Sequence, residues 1–503
     1  MMRFSTSTMN IVLLVVVSVV LHNARRVAAI GESSCEEFAP PAEIHGRKFF
    51  SSYSGDYLPI KGISYYPRPN EGNLTVTNSI DFFTEEYRHI WERDIEEFKE
   101  LHVNAIRIYA IDPSLNHDGF MCALKAAGIY VIVGLAAECY NCAITFEAPP
   151  LCYHPELKSR GEYIINQFAK YENVLAFSAG NEVSLQKKDG EWTHNTENAP
   201  CQKKFLRDMR AYVNRCSSTM RKIPVGVVEA DVDRADKALY YNCRSDPDDD
   251  LENADFMGIN TYLHCDGSAT SIEELVGYTE LLQDYASFGM TIPVVWAEFG
   301  CLNESFETVD GYEAQRNFLQ VEALFSKEFR EEFVGGFAFE YSTEKVLSEA
   351  TSAYPFTTYG PQNTGVGYFT PETCDDVVTE CEYKRFPQFD TLADKYQAVD
   401  TSDEANAIFY KRSWPDDPQT PECPDKFPPL SSFTWPSDSV ALQECPVEVP
   451  VFCAGVPIEC NVVTLPPVAV SDASFAGVSV LARPSTLLLG LFSLLGFFAG
   501  HFA

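Results

Sequence analysis

From residue 58 to 340 the chain alternates short apolar or β-branched runs with longer amphipathic stretches. The runs read LPIKGISY, NAIRIYA, IYVIVGL, VLAFSAG, IPVGVV, DFMGIN, IPVVWAE and GGFAFEY. Few of them alternate strictly, as expected of parallel strands buried on both faces. Between them lie stretches with helical spacing, such as ERDIEEFKELH near residue 95, FLRDMRAYVNRC near 210 and AQRNFLQVEALFSKEFREE near 320. Eight strands with seven such connections predict an α/β architecture, a (β/α)8 TIM barrel. A doubly wound open sheet is the runner-up, weakened because no glycine fingerprint for phosphate follows the first strand.

In such a barrel the polar residues at the C-terminal ends of the strands converge on one mouth. Here they are Tyr65, Tyr109, Asn181, Glu182, Tyr262, Glu298 and Tyr341. Glu182 follows the fourth strand and Glu298 ends the seventh, on opposite sides of the ring, so their carboxylates can face each other. A pair about 5 to 5.5 Å apart suits retaining glycoside cleavage, one group as nucleophile and one as acid, then base. The two must differ: the acid stays protonated near neutral pH while the nucleophile is ionised. Asn181 can serve the sugar hydroxyl beside the reacting carbon. Arg107, on the second strand, is a candidate to hold Glu298 ionised; the alternative is a structural ion pair with a helix carboxylate such as Asp94. Tyr109, Tyr262 and Tyr341 offer flat faces and hydroxyls to a sugar, or else are core tyrosines. Two carboxylates suffice for this mechanism, so no metal or cofactor is implied.

The 503 residues, 46% of them hydrophobic, can bury one large core. Arg3, the apolar run from Ile11 to Leu21 and the small Ala28 and Ala29 predict a signal peptide over residues 1–29. Near the other end lie the small residues Asp472, Ala473 and Ser474, a spacer with Arg483, and an apolar run from Leu487 to Gly500. They predict a glycolipid (GPI) anchor attached at Asp472, with 473–503 removed; a C-terminal membrane helix is the alternative. Sixteen cysteines in a secreted chain read as disulfides, Cys139 and Cys142 of CYNC included. Asn73 and Asn303 are glycosylation acceptors. A catalytic domain of 30–400, with a barrel core of about 58–341, is expected to lead into an extended, partly disulfide-tied stalk over 401–472. There prolines recur and cysteines stand at 423, 445, 453 and 460. A net charge of −34 repels nucleic acid and anionic headgroups; it is compatible with a neutral polymer as partner and equally with acidity that only keeps a surface protein soluble.

NAIRIYAIDPSLNHD, LAFSAGNEV, RDMRAYV, DFMGINTYLHC and VVWAEFGC resemble, in order and register over about 58–341, glycoside hydrolase family 72, the GPI-anchored β-1,3-glucanosyltransferases of fungal cell walls. The resemblance implies a (β/α)8 barrel that cuts an internal β-1,3-glucan linkage, keeps the glycan as an enzyme-bound ester and passes it to another glucan chain. It implies Glu182 as acid/base, Glu298 as nucleophile, and Asn181, Tyr109, Tyr262 and Tyr341 as sugar contacts. It also implies a Cys265–Cys301 bridge and one from Cys243 to a cysteine beyond the barrel, Cys374 being the candidate. Where the family has a cysteine pair, this chain has Trp91 and Phe120, so an aromatic contact is expected in place of the bridge. Gly134 replaces a sugar-contacting Asp, and Tyr66 a Gln. These departures bear on acceptor, chain length and linkage.

The leading expectation is transglycosylation of β-1,3-glucan by an enzyme anchored at the outer face of the plasma membrane, the alternative location being the wall after transfer. The alternatives are a retaining β-glucan hydrolase using the same two glutamates and a non-catalytic wall-glucan-binding protein. The retained pair Glu182 and Glu298 argues against the last, and the missing carboxylate at Gly134 argues weakly for it.

Overall fold

A computed structural model describes residues 35–72, 80–188, 191–194, 196–262, 269–300, 316–345, 364–413, 420–447 and 451–461. The termini, with the expected signal peptide, Asp472 and the anchor signal, lie outside these, as do Asn73, Asn303, Cys265 and Cys301.

All eight expected runs are strands: β1 (Ile60–Ser64), β2 (Ala105–Ile108), β3 (Tyr130–Gly134), β4 (Val174–Asn181), β5 (Val225–Ala230), β6 (Met257–Asn260), β7 (Val294–Phe299) and β8 (Gly335–Ala338). They pair in parallel in chain order, and β8 closes on β1. The chain is therefore a (β/α)8 barrel. Around it lie α1 (Arg88–Glu100), α2 (Asp118–Ala126), α3 (Pro155–Phe168), α4 (Ala199–Arg215), α5 (Arg234–Asn242), α6 (Val276–Phe288) and α7 (Leu319–Leu324). In α4, Phe205, Leu206, Met209 and Val213 are buried, the helical spacing of a face laid against the sheet. The pattern near residue 320 yields less helix than expected: α7 is followed only by a 3-10 turn, Phe329–Glu331.

The strand alternation hidden by two-sided burial reappears in the packing. Ala105, Ile132, Val228 and Ala297 belong to an inner cluster with Phe337, to which no helix contributes. Their neighbours Ile106, Val131, Val227 and Trp296 belong to the shell shared with the helices. The inner space is filled: a Cβ on Gly62 would lie 2.3 Å from the Phe337 ring, so only glycine fits opposite it. An N-terminal hairpin, Ala42–His45 with Lys48–Ser51, joins the inner cluster through Ala42 and Phe49. The Tyr130 phenol at the start of β3 donates to the Pro40 carbonyl at 2.7 Å, so this segment covers the floor of the barrel.

Fourteen of the sixteen cysteines pair in seven bridges. Cys243 does bond a cysteine beyond the barrel, but it is Cys423. Cys374 instead closes a short loop with Cys381, close to it in the chain and in space. The expected Cys243–Cys374 bridge is thereby corrected. The 401–472 segment is disulfide-tied as expected, but its bridges run back to the barrel unit. Cys35–Cys460, Cys122–Cys453, Cys216–Cys445 and Cys243–Cys423 fasten the segment to the barrel unit at four points. The Lys158 ammonium on α3 donates to the Ser437 carbonyl at 3.0 Å. Proline density does oppose regular structure here, but bridges of long sequence separation restrict the unfolded chain, by roughly 3–5 kcal/mol each if taken singly. The segment is a strap on the barrel.

Candidate active site

β4 ends in the sequence that carries Glu182. The β5 register shifts between Ser178 and Asn181, and Gly180 takes φ +110°, a region that favours glycine. Glu182 itself sits at φ +47°, unusual for a residue with a side chain. Such a conformation costs of order 1–2 kcal/mol and persists where neighbours over-determine it. Here the Glu182 amide donates to the Val228 carbonyl at 2.9 Å, and its carbonyl accepts from Leu185 at 2.8 Å. β7 is irregular as well: Ile259 pairs with Trp296 but Asn260 with Glu298, one residue being skipped. Ala297 therefore points to the inner cluster while Glu298 is re-aimed at the mouth.

The two glutamates line one cleft of about 540 Å³ at the C-terminal ends of the strands, with Arg107, Tyr109, Gly134 and Asn181. Glu298 is 6% exposed and accepts three donors. Arg107 Nη1 lies 2.8 Å and Tyr109 Oη 3.0 Å from Oε1, and Tyr262 Oη lies 2.9 Å from Oε2. Burial first, and the Glu298 charge after it, holds the Tyr262 phenol well above its ordinary range, so it remains a donor. Of the two alternatives for Arg107, the ion pair with Glu298 is the one formed. Asp94 is engaged by Arg93 at 2.7 Å.

Glu182 is placed differently. Its Oε1 accepts Asn260 Nδ2 at 2.9 Å. Burial, then the nearby Glu298 charge, pushes its carboxyl up to about 7, against the smaller opposing effects of Asn260 and Arg107. Asn181 joins the two halves: its Oδ1 accepts Arg107 Nη2 at 2.7 Å and Asn260 Nδ2 at 3.3 Å. That fixes which end of the Asn181 amide accepts and leaves its Nδ2 to donate from an exposed side chain. One chain of hydrogen bonds thus runs from a carboxyl pushed up to about 7 to a second carboxyl held among three donors. Such an asymmetry suits a general acid paired with a nucleophile.

Tyr341 does not belong here. It is fully buried, donates to Asp94 Oδ1 at 2.9 Å and stacks on Tyr383 with centroids 4.3 Å apart. Tyr65 donates to the other oxygen of Asp94 at 2.8 Å. Both are core tyrosines satisfied by one buried carboxylate, and the expected sugar contact at Tyr341 is corrected. Residues missed in the sequence are Asn260, Glu340 and Glu344. Asn260 ends β6 two residues before Tyr262 and has the strand-end signature applied to the others. Glu340, beside Glu298 in the cleft, accepts Thr364 Oγ1 at 2.9 Å, and burial holds its carboxyl well above the ordinary range. Glu344 pairs with Arg68 at 3.2 Å and is pushed up to about 7 by burial.

The departures from the family pattern have structural counterparts. Trp91 and Phe120 meet edge-to-face at 5.8 Å, both buried, an aromatic contact as expected. Tyr66 lines the cleft while its phenol donates to the Ile80 carbonyl at 3.0 Å. A Cβ at Gly134 would come within 3.0 Å of the Tyr109 carbonyl, so this part of the cleft floor is left low.

Barrel and carboxylate pair together define a glycoside hydrolase architecture. The glycoside hydrolase family 72 model, described as glucanosyltransferase, matches residues 31–348, and the chain belongs to that family. It is 34% identical over 308 residues to 1,3-beta-glucanosyltransferase PGA4 of Candida albicans, covering 60% of each chain. It is 31% identical over 314 residues to 1,3-beta-glucanosyltransferase GAS5 of Saccharomyces cerevisiae, covering 62% of this chain and 58% of that one. The matched region thus spans about 60% of the length of such relatives. Among solved structures it resembles Saccharomyces cerevisiae Gas2p in complex with laminaritriose and laminaritetraose, with a TM-score of 0.58 and 29% identity over 77% of this chain and 74% of that one.

Proposed function

We propose that this chain is a retaining β-1,3-glucan transglycosylase, with Glu298 as nucleophile and Glu182 as acid/base. The observation that carries the reading is the asymmetry of the pair: Glu298 among three donors including Arg107, Glu182 with its proton held up to about 7. The Glu298 carboxylate attacks the anomeric carbon as Glu182 gives its proton to the departing glycosidic oxygen. The result is a glycosyl ester on Glu298 and a free reducing-side glucan. An acceptor hydroxyl then loses its proton to Glu182 and attacks the same carbon, releasing Glu298 and restoring the β-linkage. Asn181, Tyr109 and Tyr262 contact the sugar at the reacting ring, and Arg107 positions the nucleophile. The relatives' names, and a related structure holding laminari-oligosaccharides, support both substrate and activity.

Seven disulfides support action outside the cell. Cleavage after Ala29, a GPI anchor at Asp472, glycans on Asn73 and Asn303, and a Cys265–Cys301 bridge complete the proposal. Cys265 and Cys301 are the two cysteines left over from the seven bridges.

The test is to incubate the purified secreted protein with defined β-1,3-gluco-oligosaccharides and to size the products. Products longer than the substrate are expected. Shorter products alone would replace transfer by hydrolysis, and unchanged substrate would leave a binding protein.

A further inference from the structure

The loop between β3 and α3 forms one wall of the cleft through Glu138, Ala143, Ile144 and Phe146. It is held unusually firmly. Cys139–Cys142 closes a small ring within it, and Cys152–Cys201 ties its far end to α4. Asn198 adds a third tie, its Nδ2 donating to the carbonyls of Thr145 at 3.1 Å and Val183 at 2.8 Å. The wall is thereby fastened to the turn that carries Glu182.

On this rigid frame two aromatic rings stand in solvent, Tyr140 at 92% exposure and Phe146 at 39%. The Tyr140 ring gains little by burial within the fold, and Phe146 leaves about two-fifths of its surface uncovered, since stabilisation scales with the area removed from water. Isolated surface hydrophobics need no explanation, but these two lie on a loop that also walls the cleft, and Phe146 faces the cleft itself. A pyranose ring lays its C–H face on such surfaces while a phenol keeps a polar edge for hydroxyls. A loop already ordered by two bridges loses little further freedom on binding, so the contact is preorganised.

We propose that the β3–α3 loop is an additional subsite for β-glucan, with Phe146 as its inner contact and Tyr140 as an outer platform. It engages the part of a long chain that extends beyond the sugars at Glu182 and Glu298. The proposal rests on the β-glucan reading above and adds to it a chain-length preference.

The test uses the full-length Glu182→Gln protein, which retains the cleft, titrated calorimetrically with β-1,3-gluco-oligosaccharides of increasing length. Removing both rings, by Tyr140→Ala with Phe146→Ala, should weaken binding of the longest chains by about tenfold, as expected of two ring contacts, and that of the shortest far less. Tyr140→Phe, with Phe146 intact, should keep the affinity for long chains within about twofold, because the platform remains. Equal affinities for long chains with and without the rings would overturn the proposal, as would a uniform loss at every length. If the parent Glu182→Gln protein binds no β-1,3-gluco-oligosaccharide, the β-glucan reading itself fails, and the subsite with it.

Discussion

The ends of β4 and β7 each present a glutamate to the same cleft, and the barrel treats them in opposite ways. At β7, Glu298 meets a guanidinium and two phenols, all donors. At β4, Glu182 meets one neutral amide and sits within the field of Glu298. Two residues of one type thus acquire two different settings, and at Glu182 burial, with little to answer it, favours the neutral form. The difference is not a property of either strand alone. It arises because Arg107 on β2 reaches β7 with one nitrogen and Asn181 on β4 with another.

The strongest way to break this comparison is to make the two ends alike. Glu298→Gln removes the proposed nucleophile and should lower turnover of β-1,3-gluco-oligosaccharides by at least about 1,000-fold. Glu182→Gln should lower it by about 100- to 10,000-fold, the scale of general acid–base catalysis. Product sizing against time reads both, and an active Glu298→Gln protein would refute the assignment.

The second prediction concerns stability. The Glu182 carboxyl is raised from 4.5 to about 7 in the folded chain. The native state therefore holds this proton more tightly than the unfolded chain. The stabilisation is complete below about pH 4.5 and is lost as pH rises through about 7. Glu182→Gln has no such proton to lose. Relative to the parent it should gain stability between pH 4 and pH 8, by an amount on the order of 3 kcal/mol. Urea unfolding at several pH values measures this, and a pH-independent difference would sink the assigned environment.

The smallest effect is expected at Asn260. Its hydrogen bond lowers the Glu182 pKa against burial, so Asn260→Ala should raise it further. The alkaline fall of kcat/KM, set near pH 7 by loss of the acid's proton, should move to higher pH, and the maximal rate should drop by about tenfold. An unshifted alkaline limb would mean that the amide does not act on Glu182.

Much of the barrel could be read in the chain. Eight apolar runs predicted eight strands because a parallel strand buried on both faces leaves a compositional trace of its own. The strand-end rule then singled out Glu182, Glu298, Tyr109, Asn181 and Tyr262, which the fold brings together, whereas the contact of Trp91 with Phe120 was expected from the family resemblance. Its failure at Tyr341 is instructive. A strand end fixes height along the barrel axis, not whether the side chain turns to the cleft or to the shell, and Asp94 on α1 drew Tyr341 and Tyr65 outward. Asn260 escaped notice because a neutral amide has no signature of its own until a carboxyl is found beside it. The partner of Cys243 could not be read either, since bridge partners are decided by where distant loops meet.

The sequence by itself determined the barrel, its strand boundaries to within a few residues and the two carboxylates, all of which rest on local periodicity and strand-end position. Only the tertiary structure decided that the Glu182 carboxyl is pushed up while Glu298 is surrounded by donors, that a skipped residue in β7 turns Glu298 into the mouth, and that the proline-rich segment straps the barrel. Each of these depends on groups far apart in the chain, and burial and charge act through space.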